Sequence, residues 1–214
     1  MSEYIDPTGH KFDNDVSHSG NNVTDVGHCS YGNAREHIDD ITAAGTALVH
    51  ALVAFDNAAH VDVVSPPYDR IIAFTMKNVS GTGAKHLYPC LLRVSLTDQY
   101  GNVTTEDIAQ PDDPAVPDGS SITILGVKGA ALVSQIQIIG NQTAQGGNDA
   151  WWQFSAGIGN TVGVIRHVAD LFKVERAGLN DPVANYTTDP VYNTITPTVP
   201  WVGGQPVIFF FRTV

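Results

Sequence analysis

The sequence predicts an all-β protein, an antiparallel β-sandwich of jelly-roll type with an extended N-terminal arm and one or two short helices. Three observations predict it. Between Ile71 and Ile139, short runs of branched and aromatic residues alternate with polar ones and are broken by Gly, Pro, Asn and Asp, the punctuation of strands and turns. Proline-containing loops separate many short runs, as in sandwiches and jelly rolls. With 214 residues, 43% hydrophobic and 15% charged, the chain has apolar material for one substantial core. Two regions follow from this reading: an acidic arm over residues 1–41 and a single β domain over 42–214.

From Met1 to Ile41 there is no periodicity, only Asp, Asn, Gly, Ser and His around single apolar residues such as Phe12, Val16 and Tyr31. Such a segment does not offset the entropy of ordering its own backbone, so it needs support from a core or a neighbour. Ala43 to Phe55 places Ala44, Ala47, Leu48, Ala51, Leu52 and Phe55 on one helical face, while Val49 and Val53 suit a buried strand; the spacing leans to helix. Val61 to Val64 reads as a short strand stopped by Pro66-Pro67.

Ile71 to Met76 is apolar on both faces and reads as a central strand. Leu92, Val94 and Leu96 alternate with Arg93, Ser95 and Thr97, the period of a half-buried strand. Asp98 to Asn102 then supplies turn residues, and Val103-Thr104-Thr105 resumes a β run, a hairpin pattern. Three prolines make 110–119 a loop. Ile122–Leu125 and Leu132–Ile139 form the next strand pair, and Trp151-Trp152-Gln153-Phe154 opens another, whose successive aromatics point in opposite directions. Val162 to Arg176 carries Val164, Val168, Leu171 and Phe172 at near-helical spacing, with Gly178 placed as a C-cap. Val191–Ile195 suggests an edge strand. The closing Pro206-Val207-Ile208-Phe209-Phe210-Phe211 has no polar face and must be covered on both sides.

The formal charge of −11 is unevenly placed: residues 1–65 hold ten acids against Lys11 and Arg35, a net −8, leaving −3 for the rest. An acidic front is unsuited to phosphate and so to nucleic acid; it suits a basic protein surface or simple solubility. No apolar run approaches the ~20 residues that cross a bilayer, and the first residues do not resemble a signal peptide. Cys29 and Cys90 therefore read as free thiols, and the Asn-X-Ser/Thr sequons at Asn22, Asn78, Asn102, Asn141 and Asn185 read as products of an Asn- and Thr-rich composition.

The chemistry-bearing residues yield no catalytic or cofactor motif. His10, His18, His28 and His37 are eight to ten residues apart, whereas zinc sites usually take two ligands from one short turn, so no metal ligand set is assigned. Asp112, Asp113 and Asp118 match no calcium-loop spacing. There is no Gly-X-Ser-X-Gly elbow, and Gly81-Thr82-Gly83, Gly146-Gly147 and Gly203-Gly204 form no phosphate cradle. Trp151, Trp152 and Trp201 offer flat apolar faces that suit sugar rings, which makes a glycan- or receptor-binding module the alternative.

A polar, weakly charged β domain with an acidic arm resembles bacteriophage virion proteins, in particular the decoration or cement proteins of phage heads. That resemblance implies a non-enzymatic protein without cofactors that staples major capsid subunits, as a homotrimer, at the virion surface. The residues expected to touch partner subunits are Asp6, Phe12, Asp13, Asp15, Tyr31, Asp39 and Asp40 of the arm, with Phe209 and Phe211 of the terminal strand.

Overall fold

A computed structural model describes residues 14–15, 23–29, 33–143, 146–165 and 168–213, with side-chain surroundings within residues 34–212. Two compact units emerge: Ala44–Gly159, and a terminal unit built from Met1–Ala43 together with Asn160–Val214. Residues 160–214, expected to belong to one domain from 42 onward, sort instead with the chain's beginning. Among the described residues, no helix is long and apolar enough to cross a membrane.

Three strands open the chain and belong to the terminal unit: β1 (Asn14–Asp15), β2 (Val23–Cys29) and β3 (Asn33–Ile41). The other unit then begins with β4 (Gly45–Ala54), β5 (Ala59–His60) and β6 (Arg70–Asn78). It continues through β7 (Lys85–Leu87), β8 (Cys90–Thr97), β9 (Val103–Gln110), β10 (Asp113–Val116), β11 (Ser121–Ala130), β12 (Leu132–Gly140) and residues 152–159 of β13 (Trp152–Gly163). One sheet runs β4-β13-β6-β11 and the other β5-β12-β8-β9. Leaving aside the short β7–β10 pair, the first of these strands lies beside the eighth, the second beside the seventh, the third beside the sixth and the fourth beside the fifth. A long hairpin wound into two sheets gives that nesting, which is the jelly roll the sequence predicted.

The core between the sheets is built by alternation. Leu92, Val94 and Leu96 of β8 are buried while Arg93 points outward, where it forms a bidentate pair with Asp107 of β9 at 2.8 and 2.7 Å. β6 is buried along nearly its whole length, as its two apolar faces required. Asp98 organises the β8–β9 turn by accepting from the amides of Tyr100 and Asn102, and Gly101 takes the positive φ (84°) the turn needs. Glu106 of β9 accepts from the amides of Val127 and Lys128 at 2.5 and 3.1 Å, inside the register shift of β11 between Leu125 and Gly129. Its carboxylate thereby satisfies backbone groups that a bulge leaves outside the ladder. Burial raises the Glu106 pKa while those two amides pull it back down.

Several expectations are corrected. The Ala43–Phe55 segment holds strand β4, not helix, and among the described residues helix is limited to three-residue 3-10 turns, Asp149–Trp151 and Val183–Asn185. The proline-rich 110–119 stretch contains β10, which pairs with β7 through an irregular register that accommodates Pro114, a residue with no amide to donate. Its acids serve separate turns: Asp112 meets His86 Nε2 at 2.8 Å, Asp113 accepts from the Ala115 amide and Asp118 from that of Gly81.

The terminal unit adds residues 160–163 of β13, then β14 (Val168–Arg176), β15 (Leu179–Asp181), β16 (Tyr186–Asp189), β17 (Thr194–Pro197) and β18 (Gln205–Thr213). Its main sheet runs β1-β2-β3-β18-β14-β15, with β13 and β16 flanking β17 in a second ladder. The expected helix over 162–176 is therefore the end of β13 and β14. Val168, Leu171 and Val174 are buried at three-residue intervals because β14 shifts register against β18 twice, between Val168 and Asp170 and between Leu171 and Lys173. Each bulge inserts one residue, so a period of two becomes three and imitates a helix. Gly178 is not a helix cap: Ala177 (φ 52°) and Gly178 (φ 76°) form the tight turn joining β14 to β15.

Candidate metal-binding cluster in the jelly roll

Three side chains of the jelly roll, His50 of β4, His60 of β5 and Asp62, converge so that one donor atom of each lies within 4.8 Å of the others. β4 reaches this arrangement through an irregular register. Phe154 of β13 stands opposite Val53 and Ala156 opposite His50, so three steps along β4 match two along β13. A bulge of this kind re-aims side chains, and adjacent Val49 and His50 are both buried where a regular strand would turn one outward.

His50 has 3% of its side chain exposed and His60 17%, while Asp62 is 80% exposed. The His50 ring stacks on Phe154 at 5.6 Å with planes 5° apart, and the His60 ring meets both edge-on at 4.7 and 5.4 Å. His50 Nε2 is 3.7 Å from Asp62 Oδ1 and His60 Nδ1 is 3.9 Å from the same oxygen. The other nitrogen of His60, Nε2, is 3.0 Å from Asp56 Oδ1. Asp56 also accepts from the Ala58 amide, which holds its carboxylate in the β4–β5 loop. His50 Nδ1 is buried without a hydrogen-bond partner.

The spacing of the histidines near the N-terminus does not point to this cluster, whose members lie further along the chain. The available signal was His60-Val61-Asp62, two potential ligands one residue apart, whose third member becomes visible only when β4 and β5 are placed. Of the four histidines near the N-terminus, His10, His18 and the side chain of His28 lie outside the described residues, and His37 Nε2 meets Asp39 at 3.4 Å.

The expected partner-binding residues separate into three groups. Asp6, Phe12, Asp13 and Tyr31 lie outside the described residues, and Asp15 is described only as backbone of β1. Asp39 and Asp40 are exposed, and Asp40 accepts from the Gly204 amide at 2.7 Å. Phe209 and Phe211 are fully buried, since β18 lies between β3 and β14; this removes both rings from any surface that a partner touches. Phe209 forms an aromatic cluster with Tyr186 and Trp201.

The flat faces required for sugar binding are also largely withdrawn. Trp152 and Trp201 are 1% and 2% exposed. Trp201 lies beneath the Arg176 guanidinium, 5.3 Å from its centroid, and donates its indole N–H to the Asn160 carbonyl. Trp151 is half-buried with Lys85 Nζ 4.4 Å above its ring. Cys90 is a buried free thiol whose pKa burial pushes up to about 12, which makes it unreactive. Asn78, one of the sequon asparagines, is wholly buried and donates to the Val116 carbonyl, so it is inaccessible to a glycan in the folded chain.

Comparison of the chain with protein-family models, with curated proteins and with solved structures finds no match.

Proposed function

We propose that the chain is a non-enzymatic structural protein that works by binding other protein subunits, of the kind that caps or staples a capsid lattice at a virion surface. The observation that carries this reading is the first jelly-roll strand. Among the described strands β4 pairs with β13 alone, with one further backbone hydrogen bond from the Val64 amide to the Val49 carbonyl; it has no charged residue between Gly45 and Phe55, and turns Leu48 and Leu52 to solvent, with Val61 and Val64 exposed in the following segment. Natural edge strands are usually protected by charge, proline or extreme shortness. One of ten residues without charge or proline suits burial against another chain. The acidic beginning of the sequence adds a charged element suited to a basic neighbour.

Native mass measurement of the purified protein, with a double variant Leu48→Lys/Leu52→Lys, tests the reading. A trimer or other closed oligomer that dissociates in the variant is the expected result. A monomer at every concentration that also fails to bind shell particles in co-sedimentation would sink it.

A further inference from the structure

We infer that His50, His60 and Asp62 bind a first-row divalent transition ion of the Zn²⁺ class, and that the ion ties the two sheets of the jelly roll together at β4 and β5. The inference is independent of whether the chain assembles with others.

Donor chemistry selects the class of ion. Two imidazoles and one carboxylate suit Zn²⁺, Co²⁺ or Ni²⁺, whereas Ca²⁺ and Mg²⁺ take oxygen ligands. Separation fits with a small adjustment. Ligand bonds of about 2.0–2.2 Å in a tetrahedron set donor atoms about 3.3 Å apart, and here His50 Nε2 and His60 Nδ1 stand 3.7 and 3.9 Å from Asp62 Oδ1. Asp62 is the exposed member and has the freedom to close the remaining distance. Water completes the coordination from the solvent side.

Two further observations point to a ligand at this place. His50 Nδ1 is buried with no hydrogen-bond partner among the described residues, and Nε2 stands 3.7 Å from Asp62 Oδ1, beyond hydrogen-bond reach. A buried polar ring in that state is costly; a metal bond supplies Nε2 with a partner and leaves Nδ1 as it is. Asp56 holds His60 Nε2 at 3.0 Å, which fixes the ring and leaves Nδ1 facing Asp62; a carboxylate on the outer nitrogen is the usual support for a metal-bound imidazole. Phe154 packs against both rings and restricts their rotation. Because His50 belongs to one sheet and His60 to the other, an ion between them cross-links the two sheets beyond the 55–58 loop and the Val64 amide to Val49 carbonyl hydrogen bond.

The test uses the intact 214-residue protein without an affinity tag, stripped with a chelator and titrated calorimetrically with Zn²⁺, with Co²⁺ as a visible-absorption probe. One ion per chain, a tetrahedral-type Co²⁺ spectrum and a higher thermal midpoint with Zn²⁺ are expected. Asp56→Asn weakens binding by roughly 10–100-fold, and His60→Gln and Asp62→Ala weaken it further. If His60→Gln fails to fold, Asp62→Ala decides, since that side chain is in solvent. Absence of binding in the parent protein, or binding that Asp62→Ala leaves unchanged, overturns the assignment; the second outcome would place the ion on other histidines.

Discussion

The jelly roll and the terminal unit bury their apolar residues by different routes through the sequence. In the jelly roll one uninterrupted stretch, Ala44–Gly159, supplies a cluster reaching from Val49 to Ile158, and a neighbouring pair such as β8–β9 is joined by one tight turn. In the terminal unit, β3 pairs with β18, so Ile38 stands opposite Val207 across most of the chain. Closing so long a loop costs about 3 kcal/mol more than closing a hairpin. The jelly roll reduces that cost by its own topology: its first and last strands are partners, with Gly45 opposite Ile158, so folding it brings the two flanking segments to neighbouring points. Folding of the terminal unit is therefore conditional on the jelly roll, while the reverse dependence is weaker.

Paired substitutions break or uphold that asymmetry, and their effects are the largest expected. Phe209→Ala empties part of the aromatic core in β18 and costs roughly 3–5 kcal/mol; amide exchange should accelerate in β3, β14 and β18 and leave β8 and β12 protected. Gly157→Ala places a Cβ against the Gly45 carbonyl, forces β4 away from β13 and costs about 3 kcal/mol or more. Exchange should then accelerate in both units. Equal loss of protection everywhere in Phe209→Ala would show that the units fold as one.

A smaller effect separates the units by pH. Asp69, beside the start of β6, has its pKa raised to about 7, first by burial and then by the charge of Asp98. Its folded-state pKa lies above the unfolded value, so the native state holds the proton more tightly and stability is lost as pH rises through that window. Denaturant melts should show the jelly roll losing roughly 2–3 kcal/mol between pH 5 and pH 8. Asp69→Asn should flatten the profile, and an unchanged slope in that variant would assign the dependence elsewhere.

The smallest expected effect concerns the β11 bulge. Glu106→Gln keeps an oxygen facing the Val127 and Lys128 amides and exchanges charged for neutral hydrogen bonds, a loss of about 1 kcal/mol. Glu106→Ala leaves both amides unmet and should cost about twice that. Equal midpoints for the two variants would show that the carboxylate does not hold the bulge.

What was legible in the sequence follows from locality. Alternation in 92–97, the Asp98–Asn102 turn and the two-faced burial of β6 are local consequences of a period of two, and each occurs as read. Both misread helices share one cause. In β4 and β14, inserted residues convert a period of two into intervals of three or four, and a window of sequence registers that as helical. The cluster at His50, His60 and Asp62 was invisible for a related reason: a bulge aims one member, and a strand of the other sheet and the segment after it present the other two.

By itself, the order of residues determined that this chain is all-β, wound as a sandwich, and weakly charged outside an acidic beginning, because side-chain alternation, turn chemistry and charge are properties of neighbours along the backbone. Tertiary structure decided where the bulges fall, that the two ends of the chain build a unit of their own, and which histidines meet. Those depend on pairings between residues far apart in sequence, and short-range preference carries no information about a partner more than a hundred residues away.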